Sequence, residues 1–213
     1  MSASTHDYTV PPAPDGWTAL NNPHWNQIAP LSPFVLTDNS RQAIYQTTTS
    51  LCYDNQALYI HFHCEDPDIW GTMTKRDEPI YNEEVVEIFL APGIENPTHY
   101  YEFEISPDGV LFDAKIVNPG SDRGPIEVIT EWDCPGIQWQ TKRQDSDSQW
   151  SADVIIPWEA IAPADSRPHI WRANFTRIER PRKAEPEFSC WSPTLTNPAN
   201  FHKPTEFGVL RFT

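Results

Sequence analysis

His99–Val117 reads HYYEFEISPDGVLFDAKIV, and its pattern decides the fold. Tyr101, Phe103 and Ile105 alternate with Tyr100, Glu102 and Glu104, the period of two that a strand produces. Pro107-Asp108-Gly109 is a tight-turn signal, so Val110–Val117 should return antiparallel as the second arm of a hairpin. The same pattern recurs on both sides. Ala57–Glu65 (ALYIHFHCE) sets Leu58, Ile60, Phe62 and Cys64 against Tyr59, His61, His63 and Glu65. Extended runs also cover Ala43–Tyr53, Ile126–Trp132, Ile137–Lys142, Trp150–Ile156, His169–Ile178, Glu187–Trp191 and Phe207–Phe212. One helix start is present, at Pro157-Trp158-Glu159-Ala160-Ile161, with proline expected at the first helical position. About ten short strands with one short helix predict an all-β protein, an antiparallel β-sandwich. The 22 Pro against eight Gly suit many short segments broken by stiff turns.

Composition narrows the function. The 213 residues carry a net charge of −15, a surface that repels phosphate backbones, so nucleic acid is excluded as a partner. Neutral or cationic ligands fit better. No run of about 18 apolar residues is present, so no membrane span is expected. The opening MSASTHDYTVPPAPDGW lacks the basic and apolar segments of a secretory leader. As written, the chain is expected in the cytoplasm; it would be secreted if a leader had been removed. Residues 1–20 read as a Pro-rich arm, with Trp17 and Trp25 tucking it against a single sandwich domain over 21–213. Cys52, Cys64, Cys134 and Cys190 show no C-x-x-C spacing, which speaks against zinc and for free, partly buried thiols.

The stretch Glu78–Leu90, EPIYNEEVVEIFL, holds the chemistry. Val85–Leu90 has the β-branched and aromatic content of a buried strand. Ile80–Glu84 is a polar approach with one ring, one amide and two carboxylates. Glu87 lies within the strand, where a bare buried charge costs several kcal/mol or more and so needs a partner or water. Glu83, Glu84 and Glu87 therefore either line a solvated face or gather with Tyr81 into a sugar-binding edge.

The runs YDNQALYIHFHCEDPDI, NEEVVEIFLAP, HYYEFEISPDG, IIPWEAI, WRANFTRIE and CWSPT…FHKPTEFGVLRF together resemble the type 9 carbohydrate-binding module family. These modules are similar in fold to DOMON domains. The resemblance covers the chain from about residue 40 onward and implies non-catalytic binding of a mono- or oligosaccharide, in support of polysaccharide breakdown by glycoside hydrolases. It implies a sugar ring held between Tyr81 and Trp191, with Glu84 and Glu87 accepting from its hydroxyls. The physics agrees, because C–H faces pack on aromatic rings and carboxylates accept strong hydrogen bonds. Glu104 stands where the family has an arginine, and Arg177 on the Trp171 strand is the candidate replacement donor.

Other readings use other residues. The DOMON side of the resemblance admits haem, with Met73 and His61 or His63 as ligands. A protein-docking module without a small ligand is the third reading. Calcium is the one ion the family suggests, as a structural ion at the acidic turns carrying Asp54, Asp66 and Asp68; no other cofactor is expected. Trp70 is a rim ring or lid, and His202 a brace for the closing loop. Glu84, Glu87 and Glu104 could supply a hydrolytic carboxylate pair. The chain, however, has no Ser-His-Asp pattern, no Gly-rich phosphate loop and no H-E-x-x-H, so no enzyme is expected.

Overall fold

Strands form where the sequence alternates, and the tight turn folds as its residues require. In the computed structural model, which describes residues 6–17, 20–120, 124–162 and 167–213, β6 (His99–Ile105) and β7 (Leu111–Val117) pair antiparallel across Pro107-Asp108-Gly109. Gly109 sits at φ +82°, a left-handed conformation that costs a glycine nothing. Among the described residues there are thirteen strands in two sheets and one four-residue helix, α1 (Trp158–Ile161). Pro157 precedes that helix by one position, as the last residue of β10 (Gln149–Pro157).

The smaller sheet runs β3 (Thr47–Tyr53), β4 (Ala57–Glu65), β10 and β9 (Gln138–Gln144). The larger has nine strands. Its centre is β11 (Ile170–Glu179), with β5 (Val85–Pro92) on one side and then β6, β7 and β8 (Glu127–Ile129). On the other side of β11, β13 (Gly208–Phe212) pairs with its first half and β12 (Glu187–Cys190) with its second. Two further strands carry no strong sequence signal: β1 (Asp7–Val10), parallel to β13, and the two-residue β2 (Val35–Leu36) beside β12. The arm thus joins the sheet as an edge strand. Trp17 meets Trp25 edge-on at 4.8 Å, as its tucked position requires, while residues 1–5, 18 and 19 of the arm lie outside the described residues.

The core lies between the sheets. Leu58, Ile60, Phe62 and Cys64 are all fully buried there, and Phe62 meets Phe175 across the interface. Alternation decides the rest. On the large sheet Val86, Ile88, Leu90, Phe103, Ile105, Ala173 and Phe175 point into this core. The intervening Val85, Phe89, Ala91, Tyr100, Phe112 and Ile178 form a second apolar layer on the outer face, closed over by Phe201 and Phe207 of the C-terminal loop. That outer face carries the site. All four cysteines are unpaired and buried.

Candidate functional site

A row of side chains crosses the outer face of the large sheet. Phe112 stands opposite Glu104, Glu104 opposite Glu87, Glu87 opposite Thr176, and Thr176 opposite Cys190. Glu102 lies two residues from Glu104 on the same strand, hence on the same face. Carboxylate oxygens of Glu87, Glu102 and Glu104 all come within 4.8 Å of one another, and the three residues are only 3%, 4% and 2% exposed. Like charges opposite each other on adjacent strands are destabilising. Burial pushes Glu87 up to about 7, against which the Thr176 hydroxyl donates a hydrogen bond. Burial and then repulsion from Glu87 hold Glu102 well above the carboxylate range. The same causes, with Glu102 added, raise Glu104. Glu104 Oε2 has no hydrogen-bond partner.

These carboxyls floor a cavity of about 490 Å³, within the size range of small-ligand sites. Tyr81, in a single 3-10 turn (Ile80–Asn82) ahead of β5, is 41% exposed at its mouth and braced edge-on by Phe112 at 5.9 Å. Phe188 forms another wall. It stands opposite Ile178 in the β11–β12 register, and the Arg180 guanidinium lies over its ring at 5.2 Å. Asn82, Asn200 and His202 supply polar rim groups, and the exposed Val128 an apolar lip. His202 is braced from behind. Asn118 Nδ2 donates to the Tyr100 hydroxyl (3.1 Å), which is hydrogen-bonded in turn to His202 Nδ1 (2.8 Å). The other ring nitrogen, Nε2, lies 3.6 Å from Glu102 Oε1. Burial lowers this histidine to about 4, so the ring is neutral.

Three of the expected site residues are elsewhere. Glu84 shares parity with Val86 and therefore faces the opposite side of the sheet from Glu87; it accepts from the Trp70 amide at 3.2 Å. Arg177 shares parity with Phe175 and is fully buried between the sheets, bonded to the Glu65 carbonyl, Asp66 and Glu179. Trp191 is 2% exposed in the core, between Phe175 and His6 and tight against Gly208. It follows the last residue of β12, and its amide bonds to the Phe175 carbonyl at 2.8 Å, which leaves the ring directed inward. Phe188, three residues earlier, has the parity that reaches the cavity. Tyr81, Glu87 and Glu104 do come together. Glu102, Phe188 and Arg180 were not singled out in the sequence, although the Glu102/Glu104 alternation was visible there. Nor do Glu83, Glu84 and Glu87 line a solvated face, since all three are buried; Glu83 instead holds the Thr72 amide at 2.8 Å.

The remaining expectations sort by position. Met73 packs on the outer layer of the large sheet, whereas His61 and His63 lie on the outer side of the small one, so the sandwich separates this haem pair. His61 is held by Asp153 at 2.7 Å and stacks on Trp25. The Trp70 indole donates to the Arg180 carbonyl. Asp54 caps its own turn and Asp68 pairs with Arg182, so the acidic turns do not form one calcium site. Asp66 instead meets Glu84 and Glu179 around Arg177. Burial and repulsion from Glu179 and Asp66 push Glu84 up to about 9. Glu84 Oε1 and Glu179 Oε1 are buried without partners, an oxygen set that fits a hard cation. A third acidic group, Asp77, Asp113 and Asp133, is closed by Arg76. A larger hollow of about 830 Å³ borders α1, but its rings are engaged: Trp158 is buried and the Tyr59 hydroxyl bonds Asp54.

Comparison with known proteins agrees with this architecture. An extracellular protein of Arthroderma benhamiae is 26% identical over 217 residues, covering 99% of this chain and 93% of its own. A Bacteroides uniformis protein described as carbohydrate-binding superposes with a TM-score of 0.74 at 17% identity, covering 99% of this chain and all of the other. A family 9 carbohydrate-binding module of Caldicellulosiruptor kristjanssonii, solved with cellotriose, gives a TM-score of 0.65 at 16% identity, covering 97% of this chain and 93% of its own. The same module with glucose gives 0.63. The sequence profile of carbohydrate-binding family 9 matches residues 39–212, and with the sandwich described above this chain belongs to that family.

Proposed function

We propose that the protein binds a saccharide without chemical conversion, in the cavity on the outer face of the large sheet. The observation that carries this reading is the meeting, in one hollow, of an exposed ring (Tyr81), a second ring wall (Phe188) and three buried carboxyls. A pyranose laid between the rings would bury its C–H faces, while Glu87, Glu102 and Glu104 accept from its hydroxyls. Asn82, Asn200 and the neutral His202 ring add polar groups at the rim. The cellotriose and glucose complexes of the Caldicellulosiruptor module support a glucose-type ligand. The non-catalytic reading draws on the family. Such binding would serve polysaccharide breakdown by glycoside hydrolases. The extracellular Arthroderma relative favours the secreted alternative, and full burial of the four thiols makes free cysteines compatible with an oxidising compartment.

Isothermal titration with cellotriose tests this. Tyr81→Ala and Phe188→Ala should each weaken binding by roughly 1–2 kcal/mol, the lower part of the range for anchor residues. A folded chain that binds no mono- or oligosaccharide overturns the reading.

A further inference from the structure

Resting on the saccharide reading above, we propose that the cavity selects a cationic amino sugar, a glucosamine unit whose ammonium sits among Glu87, Glu102 and Glu104, over the neutral sugar of the same shape. Three carboxyls converge with oxygens within 4.8 Å, and among the described residues no lysine or arginine pairs with any of them. The groups facing them from the neighbouring elements do not supply the missing charge. On β7 the facing residue is Phe112. The closing loop presents His202, whose Nδ1 is taken by Tyr100. After β11, Arg180 lines the cavity but stacks on Phe188. Glu104 Oε2, buried and without a partner, points to a donor that the protein itself does not provide.

A neutral hydroxyl offers one hydrogen, which satisfies one acceptor and leaves the like charges facing each other. An ammonium offers three donors and one positive charge, matching three carboxyls around a point. The exchange of –OH for –NH₃⁺ leaves the ring contacts with Tyr81 and Phe188 unaltered. A cation in the cluster also favours the ionised carboxylates, so its arrival should release protons near neutral pH.

The test is calorimetric titration of the full chain, in chelator-treated buffer at neutral pH, with cellotriose, the fully deacetylated glucosamine trimer and its N-acetylated counterpart. The glucosamine trimer should bind at least about tenfold more tightly than cellotriose, on the scale of a charged hydrogen bond. N-acetylation should erase the advantage, and the heat should depend on the buffer's ionisation enthalpy. Since the net charge of −15 attracts any cation, Glu104→Gln is the deciding variant. It keeps side-chain shape and nearly all of that charge, and should reduce the preference to about twofold or less. A preference that survives Glu104→Gln is general attraction and overturns the proposal. Equal affinity for cellotriose and the glucosamine trimer, both weakened by Tyr81→Ala, overturns amine selection and leaves the saccharide site standing. Binding of calcium alone that is lost in Glu104→Gln, with no advantage for the amine, assigns the cluster to a metal. No binding of any trimer by the folded chain removes both readings.

Discussion

Glu87 and Glu104 face each other directly across the β5–β6 ladder, both buried, with no arginine or lysine paired to either among the described residues. Such a pair weakens the fold, because the charged forms are desolvated and repel.

The first prediction follows from the sign of that cost. Glu87 rises from an ordinary 4.5 to about 7, so between these values the folded state holds more protons than the unfolded one. Stability from this group is fully present below about 4.5 and is lost as pH rises through about 7. Glu102 and Glu104, also raised by burial and by the neighbouring carboxyls, contribute in the same direction. The ligand-free protein should melt at a lower temperature at pH 8 than at pH 5, and Glu104→Gln should be more stable than wild type at pH 8 by about 1 kcal/mol or more. A melting profile in which the variant keeps the full pH slope would count against the cluster as its source.

Phe62 tests the core. It is fully buried between the sheets, and Phe62→Ala should destabilise the chain by roughly 3–5 kcal/mol in urea titration, with the slope of the transition unchanged.

Trp191 and Phe188 should separate cleanly. Trp191→Ala leaves a cavity in the core and should cost roughly 3–5 kcal/mol of stability while the folded fraction binds cellotriose as wild type does. Gly208→Ala should be destabilising by roughly 1–3 kcal/mol, since a Cβ there would collide with the Trp191 ring carbons. Phe188→Ala should instead lose binding with a smaller change in melting temperature. Loss of cellotriose affinity in folded Trp191→Ala would return that ring to the site.

The Asp66, Glu84 and Glu179 group predicts a calcium response distinct from sugar binding. Calcium at about a hundred times its Kd should add about 2.7 kcal/mol of stability. Glu84→Gln should abolish this gain without altering cellotriose affinity, because Glu84 faces away from the cavity. A melting curve indifferent to both calcium and chelator would leave the group as a plain network around Arg177.

The sandwich was legible in the sequence because alternation is a local property. His99–Val117 and Ala57–Glu65 state their two-residue period and their turns without help from the rest of the chain, and β3 to β13 all lie within or beside the runs so identified. The short β1 and β2 were not legible, since each is held by a partner strand distant in sequence. The site was half legible. A period of two carried back one residue from β5 sets Glu84 opposite in face to Glu87, and shows that Glu102 accompanies Glu104. It does not show which face the second sheet covers. That was decided only when the small sheet packed on Val86, Ile88 and Phe103, placing Glu84 and Arg177 on the covered face and Glu87, Glu102 and Glu104 beneath an open cavity. Trp191 and Phe188 differ for the same reason. Both are aromatic, and three residues apart they take opposite faces; the covering sheet makes Trp191 core, where its amide bonds Phe175 and its ring meets Gly208, and leaves Phe188 as a wall of the cavity.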